Sequence, residues 1–127
     1  KTTNRYFNYI YVRMGAHTLI HKRTEDDIWK NLFELPLVET EKDLSEEEFL
    51  ACPQFHALFA EGEVRMVRTL LRGGKHVLSH RVIYTNFYEV TLLDNSSSFS
   101  SYQRVAVEDL GRYAVPRLIH AFLEKYV

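Results

Sequence analysis

The stretch HVLSHRVIYTNFYEVTLL, residues 76–93, decides the fold of this 127-residue chain. Its second half is dominated by Val, Ile, Thr, Tyr and Phe, the residue types that favour β-strands. In its first half, Ser79 and His80 follow each other directly, so both faces of a regular strand would be polar there. We therefore predict a long strand whose regular pairing begins near Val82, with a polar segment in front of it.

A second strand is predicted just before this stretch. The segment EVRMVRTLLR, residues 63–72, has the composition of a strand, and Gly73 and Gly74 separate it from the long one. Glycine adopts positive φ angles at little cost, so this pair suits a tight hairpin turn. We therefore predict a hairpin that turns at Gly73 and Gly74.

Two more strands are predicted near the beginning of the chain. RYFNYIYVRM, residues 5–14, and HTLIHKR, residues 17–23, have the composition of strands and flank Gly15, so they predict another hairpin. In the following segment, DDIWKNLFELPLV, residues 26–38, Pro36 interrupts the apolar run. This segment predicts a loop with a short strand rather than a long helix.

Helices are predicted in two places. Ser45 and Glu48 have the spacing of a capping box, so a helix is expected to begin there and to bend at Pro53. The closing segment, residues 108–127, has apolar residues at helical spacing, and Pro116 is compatible with the first turn of a helix. Strands outnumber helices, which predicts a single α+β domain over residues 1–127, with helices flanking a mixed β-sheet and a helix at the C-terminus.

The charged residues are segregated along the sequence. The formal net charge is only −1 at pH 7, so the composition as a whole gives no sign of a nucleic-acid partner. Residues 34–48 are strongly acidic, however, whereas a later stretch carries the basic residues Arg65, Arg68, Arg72, Lys75 and Arg81. This distribution is compatible with an electropositive surface on one side of the domain.

The chain has one cysteine, Cys52, and no long apolar run. A single thiol excludes an intrachain disulfide, a four-cysteine zinc site and an iron–sulfur cluster held by this chain alone. No stretch approaches the ~18–20 apolar residues that a membrane-spanning helix needs. We therefore expect no membrane partner and a reducing, intracellular (cytoplasmic) setting.

Three ordered motifs together resemble the C-terminal domain of the A/G-specific adenine DNA glycosylases, the MutY-type family. They are LIHKRTEDDIWKNLFELPLVE (19–39), KHVLSHRVI (75–83) and VAVEDLGRYAVPRLIHAFL (105–123), so the resemblance spans nearly the whole chain. The resemblance implies a Nudix-like fold and a non-catalytic role in base excision repair. The domain would recognise 8-oxoguanine opposite adenine in double-stranded DNA. A separate N-terminal helical domain, holding an iron–sulfur cluster, would excise the adenine, so no cofactor and no catalytic residue is expected here.

The resemblance also implies roles for particular residues. Ser79 takes the position of the residue that reads the lesion. Oxidation turns N7 of guanine into an N–H donor, and a serine hydroxyl can accept from it. Leu78 stands where the family usually has an aromatic wedge, and His80 would brace the loop or meet a phosphate. The phosphate contacts are expected from Lys75, His76 and Arg81, which set the register of the protein on DNA.

Two other functions stay open at this point. A divergent Nudix pyrophosphohydrolase would need clustered carboxylates for magnesium, but residues 35–52 lack the R-E-x-x-E-E pattern. The consecutive acids Glu46, Glu47 and Glu48 point about 100° apart on a helix, which favours a solvated helix start over a metal site. The other alternative is a protein-interaction module that docks through residues 34–48 or the C-terminal helix.

A few further side chains have ordinary structural interpretations. Trp29 lies beside Leu32 and Phe33 in the sequence and is expected in the core. His17 and His21 would share a strand face, but no third metal ligand accompanies them. Cys52 is expected to be a buried thiol.

Overall fold

The computed structural model describes residues 2–127, which form two β-sheets and three short helices. The elements are β1 Thr3–Arg13, β2 His17–Lys22, β3 Phe33–Glu34, β4 Leu37–Thr40, α1 Glu46–Ala51, α2 Pro53–His56, β5 Val64–Val77, β6 Arg81–Leu92, β7 Gln103–Ala106, a 3-10 helix Val107–Arg112 and α3 Arg117–Tyr126. The predicted α+β fold, with a mixed sheet and a C-terminal helix, is confirmed.

Strand β6 lies inside the larger sheet, whose order is β4-β1-β6-β5. It runs parallel to β1 and antiparallel to β5, while β4 pairs antiparallel with the other side of β1. Every residue from 85 to 90 is buried, because helices or the second sheet cover both faces of β6. The smaller sheet has the order β3-β2-β7.

Aromatic side chains fill the core on both faces of the larger sheet. On one face, Phe122 of α3 stacks on Phe87 with ring centroids 4.1 Å apart, and Phe87 also stacks on Tyr9 at 5.2 Å. On the other face, Phe49 of α1 stacks on Tyr88 at 4.6 Å. The alternation along β6 therefore anchors a different helix on each side.

The hairpin turn predicted at Gly73 and Gly74 is wrong. Strand β5 continues through both glycines to Val77, with an irregular register between Leu71 and Gly74. Gly73 has φ +75° and donates its N–H to Oδ1 of Asn86, 2.9 Å away. The glycines thus form a bulge in the strand, because positive φ serves a bulge as well as it serves a turn.

The predicted hairpin of β1 and β2 is confirmed only at its turn. Met14 and His17 form an isolated bridge around Gly15, and the strands then diverge into different sheets. Strand β2 instead pairs with β3, which follows it in the chain, and with β7, which comes much later. A hairpin predicted from adjacent segments misses such pairing because the partner strand is distant in sequence.

The helix predictions for residues 45–56 are confirmed, whereas the segment 26–38 leads from a loop into two short strands, β3 and β4, instead of one. Residues 25–31 form turns before β3, and the capping box of Ser45 and Glu48 opens α1. The helix breaks at Cys52, and Pro53 begins α2. Trp29 is buried in the core, whereas Cys52 is only half-buried and not fully buried as expected.

Candidate functional site

The polar segment before β6 is the turn of the β5–β6 hairpin. The backbone N–H of Leu78 donates to the carbonyl oxygen of Arg81 at 2.8 Å, so Ser79 and His80 form a two-residue connection. Both residues are exposed at the tip. Within residues 2–127, neither the hydroxyl nor the backbone N–H of Ser79 has a hydrogen-bond partner. The tip therefore presents one free donor and a hydroxyl that can donate or accept.

The backbone around the tip is held on both sides. The side chain of Leu78 is half-buried and packs against the core cluster that includes Phe7 and Ile83. The carbonyl oxygen of His80 accepts from the backbone N–H of Thr3 at 3.1 Å. These contacts fix the position of Ser79 between two anchored neighbours, which is how a loop residue gains a defined geometry.

A cavity of about 520 Å³ lies between the hairpin tip and the loop after β2. Its lining is formed by Asp27, Ile28, Val77, Leu78, Ser79, His80 and Arg81. The side chains at its rim include two very exposed apolar groups, Ile28 and Val77. A mixture of apolar walls and a few polar groups is typical of small-ligand and base-binding surfaces.

A buried ion-pair network positions the loop that closes this cavity. Nη2 of Arg23 lies 2.8 Å from Oδ2 of Asp27, and Nη1 of Arg23 lies 3.1 Å from Oε2 of Glu34. Burial would lower the pKa of Arg23, but the hydrogen bond from Arg23 to Asp27 and the charge of Glu34 raise it above the ordinary value. For Asp27, burial alone would raise the pKa of the carboxyl group. Hydrogen bonds from Arg23 and from the N–H of Trp29 outweigh burial, so this pKa lies below its ordinary value. Asp27 is therefore a fixed anion whose oxygens are already engaged.

The structure brings together four of the six predicted site residues. Leu78, Ser79, His80 and Arg81 line the cavity, whereas Lys75 and His76 lie on β5 outside it. Lys75 is exposed and pairs with Tyr84, and half-buried His76 pairs with Ile83 on the opposite face. Burial lowers the pKa of His76 below its usual 6.5, so its imidazole is neutral at pH 7.

Sequence reasoning missed Asp27, Ile28 and Val77 as neighbours of the hairpin tip. Val77 belongs to the hairpin itself, whereas Asp27 and Ile28 lie on a loop roughly fifty residues earlier that meets the hairpin only in the folded domain. Ile28 gives one weak sequence signal, since it is a large apolar residue in a turn-forming segment. That signal alone does not identify what the residue faces.

The acidic segment does not fit a magnesium site. Glu46, Glu47 and Glu48 are exposed, and the carboxylate of Glu48 accepts from the N–H of Ser45 at 2.9 Å in the capping box. In the part of the chain that the structure describes, no three His, Cys, Asp or Glu residues are grouped as metal ligands would be. The lone Cys52 likewise cannot hold an iron–sulfur cluster, which needs several thiolates.

The sequence profile of the NUDIX domain matches residues 8–125. The chain belongs to the Nudix domain family. A search among curated proteins finds no match to it. Within residues 2–127, none of the helices has the length and apolar character required to cross a lipid bilayer.

Solved structures of Nudix-like proteins share this fold at low sequence identity. The E. coli ORF135 protein has 16% identity and a TM-score of 0.65, over 97% of this chain and 88% of that one. The C-terminal domain of mouse MUTYH, solved in complex with human PCNA, has 14% identity and a TM-score of 0.65, over 96% and 86%. The Nudix hydrolase RenU of M. smegmatis has 11% identity and a TM-score of 0.63, over 97% of this chain and 82% of that one.

Proposed function

We propose that this Nudix domain is the non-catalytic lesion reader of an adenine DNA glycosylase and recognises 8-oxoguanine opposite adenine. The observation that carries the proposal is the hairpin tip, where Ser79 is exposed, unpartnered within residues 2–127 and held between Leu78 and His80. The three motifs that resemble the MutY-type family support the same assignment. The mouse MUTYH domain among the structural neighbours supports it at the level of the fold.

The free groups of Ser79 match the changes that oxidation makes to guanine. The hydroxyl oxygen can accept from the new N7–H, and the backbone N–H can donate to the new oxygen on C8. Normal guanine has an acceptor at N7 and no oxygen at C8. It can therefore neither donate from N7 to the hydroxyl nor accept at C8 from the backbone N–H. Such a contact is worth about 1–3 kcal/mol of discrimination between bases.

The basic residues near the tip suit the sugar–phosphate backbone. Arg81 lines the same cavity as Ser79, and exposed His80 and Lys75 extend the positive or hydrogen-bonding surface along the hairpin. Contacts of this type position the protein on the duplex without reading its sequence. His76 would contribute as a neutral hydrogen-bonding group, because burial lowers its pKa.

The catalytic step would belong to the N-terminal domain of the same protein. That domain would carry the iron–sulfur cluster and excise the adenine after flipping it out of the duplex. The carboxylates of residues 41–48 are exposed, with Glu48 used in the helix cap and Oδ1 of Asp43 accepting from Nδ2 of Asn86 at 3.2 Å. These engagements support a non-catalytic role for the Nudix domain.

The test compares two duplexes that differ by one oxygen. The 127-residue chain is titrated with duplexes carrying 8-oxoguanine:adenine or guanine:adenine, with NMR chemical shifts as a readout that detects weak binding. The Ser79→Ala substitution should lower the ratio of the two affinities, lesion duplex over undamaged duplex, by about tenfold. Ser101→Ala, which removes an exposed serine elsewhere, is the matched control. Equal binding of both duplexes by the unaltered chain would refute the proposal.

A second candidate function is hydrolysis of an oxidised nucleoside triphosphate. Membership of the Nudix family and the fold shared with the Nudix hydrolase RenU favour it. It predicts magnesium-dependent release of pyrophosphate or phosphate from 8-oxo-dGTP. Release that requires magnesium and elutes together with the purified chain would establish this function, and no release from the purified chain would exclude it.

A further inference from the structure

The cavity beside Ser79 has apolar walls to which the family resemblance assigns no role. Five large hydrophobic side chains are exposed within residues 2–127, and the two with the greatest exposure are Ile28 at 72% and Val77 at 70%. Both line the cavity that the Ser79 turn closes. The other three are Val64, Met66 and Val127, which lie elsewhere on the surface.

Ile28 is exposed although the residues on both sides of it are held in place. The side chain of Asp27 is 9% exposed and bound to Arg23, and Trp29 is 9% exposed and packs in the core. The N–H of Trp29 also donates to Oδ1 of Asp27 at 3.0 Å. The loop therefore presents Ile28 to solvent from a fixed backbone.

Val77 is presented to the same cavity from the β5–β6 hairpin. It is paired with Val82 in the ladder, and the next residue, Leu78, packs against the core. The side chain of Val77 consequently points away from the face that Leu78 covers. Because Leu78 is engaged with the core, it is less available than Val77 to enter a base stack.

We infer that Ile28 and Val77 form an apolar clamp that contacts the bases beside the lesion, a role that the motif assigns to the residue at position 78. This inference rests on the proposed function, because the occupant is duplex DNA at 8-oxoguanine. The polar groups on the same cavity favour this occupant: Ser79 offers a donor and an acceptor, and Arg81 offers positive charge for phosphate. The carboxylate of Asp27 also lines the cavity, but its negative charge is paired with the guanidinium of Arg23 at 2.8 Å. Apolar side chains next to such groups act as wedges between base steps in other DNA-binding proteins.

The clamp and the serine make separable predictions. An apolar contact with the base stack adds affinity for damaged and undamaged duplexes alike, whereas the Ser79 contact adds preference for the lesion. The double variant Ile28→Ser, Val77→Ser should therefore bind both duplexes about tenfold more weakly while keeping the ratio between them. Thermal unfolding should be unchanged, because both side chains are exposed in the native state.

The matched control is the double variant Val64→Ser, Met66→Ser, which removes exposed apolar groups outside the cavity. It should bind both duplexes like the unaltered chain. If the unaltered chain prefers the lesion but the Ile28, Val77 variant binds with full affinity, the clamp is overturned and the proposed function stands. If the two double variants weaken binding equally, the clamp is also overturned. A chain that binds neither duplex overturns the proposed function itself.

Discussion

The backbone N–H of Leu78 lies 2.8 Å from the carbonyl oxygen of Arg81, and this bond closes the turn that exposes Ser79 and His80. On the inner side of the same turn, the side chain of Leu78 packs against the core. The exposure of Ser79 is thus coupled to the burial of its neighbour. A change at Leu78 would alter the turn by removing its support, even if Leu78 never touched a ligand.

Leu78→Ala should destabilise the domain. The side chain is half-buried, so we expect a loss of about 1–2 kcal/mol in the free energy of unfolding, less than a fully buried leucine would cost. Urea unfolding measures this loss. Val77→Ala is the matched control, because the neighbouring side chain is 70% exposed and its truncation should change stability by less than about 0.5 kcal/mol. Equal losses in the two variants would contradict the burial of Leu78.

Glu34→Ala should strongly destabilise the loop between β2 and β3. The side chains of Arg23 and Glu34 are each 3% exposed, so removal of the carboxylate leaves a buried guanidinium with Asp27 as its remaining buried partner. Breaking a buried pair in this way costs about 3–5 kcal/mol, and because Asp27 is retained we expect a loss of about 3 kcal/mol in the free energy of unfolding. Chemical denaturation gives the value.

The control for Glu34 is an ion pair at the surface. Arg112 lies 3.5 Å from Asp109, and its side chain is 81% exposed. Asp109→Ala should cost less than about 1 kcal/mol, because water and salt screen exposed charges. A Glu34→Ala cost as small as that of Asp109→Ala would show that Arg23 does not depend on Glu34.

Gly74→Ala should destabilise the bulge in β5. A Cβ atom added at Gly74 would clash with Oγ1 of Thr85, a side chain that is 1% exposed and cannot move aside freely. We expect a loss of about 1–3 kcal/mol, the range for an overpacked site. Gly111→Ala is the matched control, since nothing lies within 4 Å of its added Cβ. Similar thermal stability of the two variants would contradict the close approach at Gly74.

The sequence predicts local structure well where the cause is local. The capping box of Ser45 and Glu48 needs only three residues of spacing, and Pro53 breaks the helix by its own geometry. The glycines at 73 and 74 show the limit of such reasoning. Their freedom at positive φ fits a turn or a bulge, and the choice depends on Asn86 and Thr85 of the neighbouring strand.

The candidate site divides in the same way. Ser79 and its neighbours form one continuous motif, so a resemblance to known sequences can identify them. Ile28 joins them only because Arg23 and Glu34 fold the loop against the hairpin. No sequence pattern within residues 26–38 predicts that contact, because the contact depends on the order of the strands and not on the composition of the segment.

His76→Gln should weaken the pH dependence of stability on the acidic side. Burial lowers the pKa of His76 below 6.5 in the folded state, so the unfolded chain binds its proton first as the pH falls. The free energy of unfolding therefore decreases as the pH drops below about 6.5, until the folded state also becomes protonated. Urea unfolding between about pH 7.5 and about pH 5 should show a smaller loss for His76→Gln than for the unaltered chain. His56→Gln, which removes an exposed histidine, is the control, and parallel curves for His76→Gln and the unaltered chain would rule out the proposed burial effect.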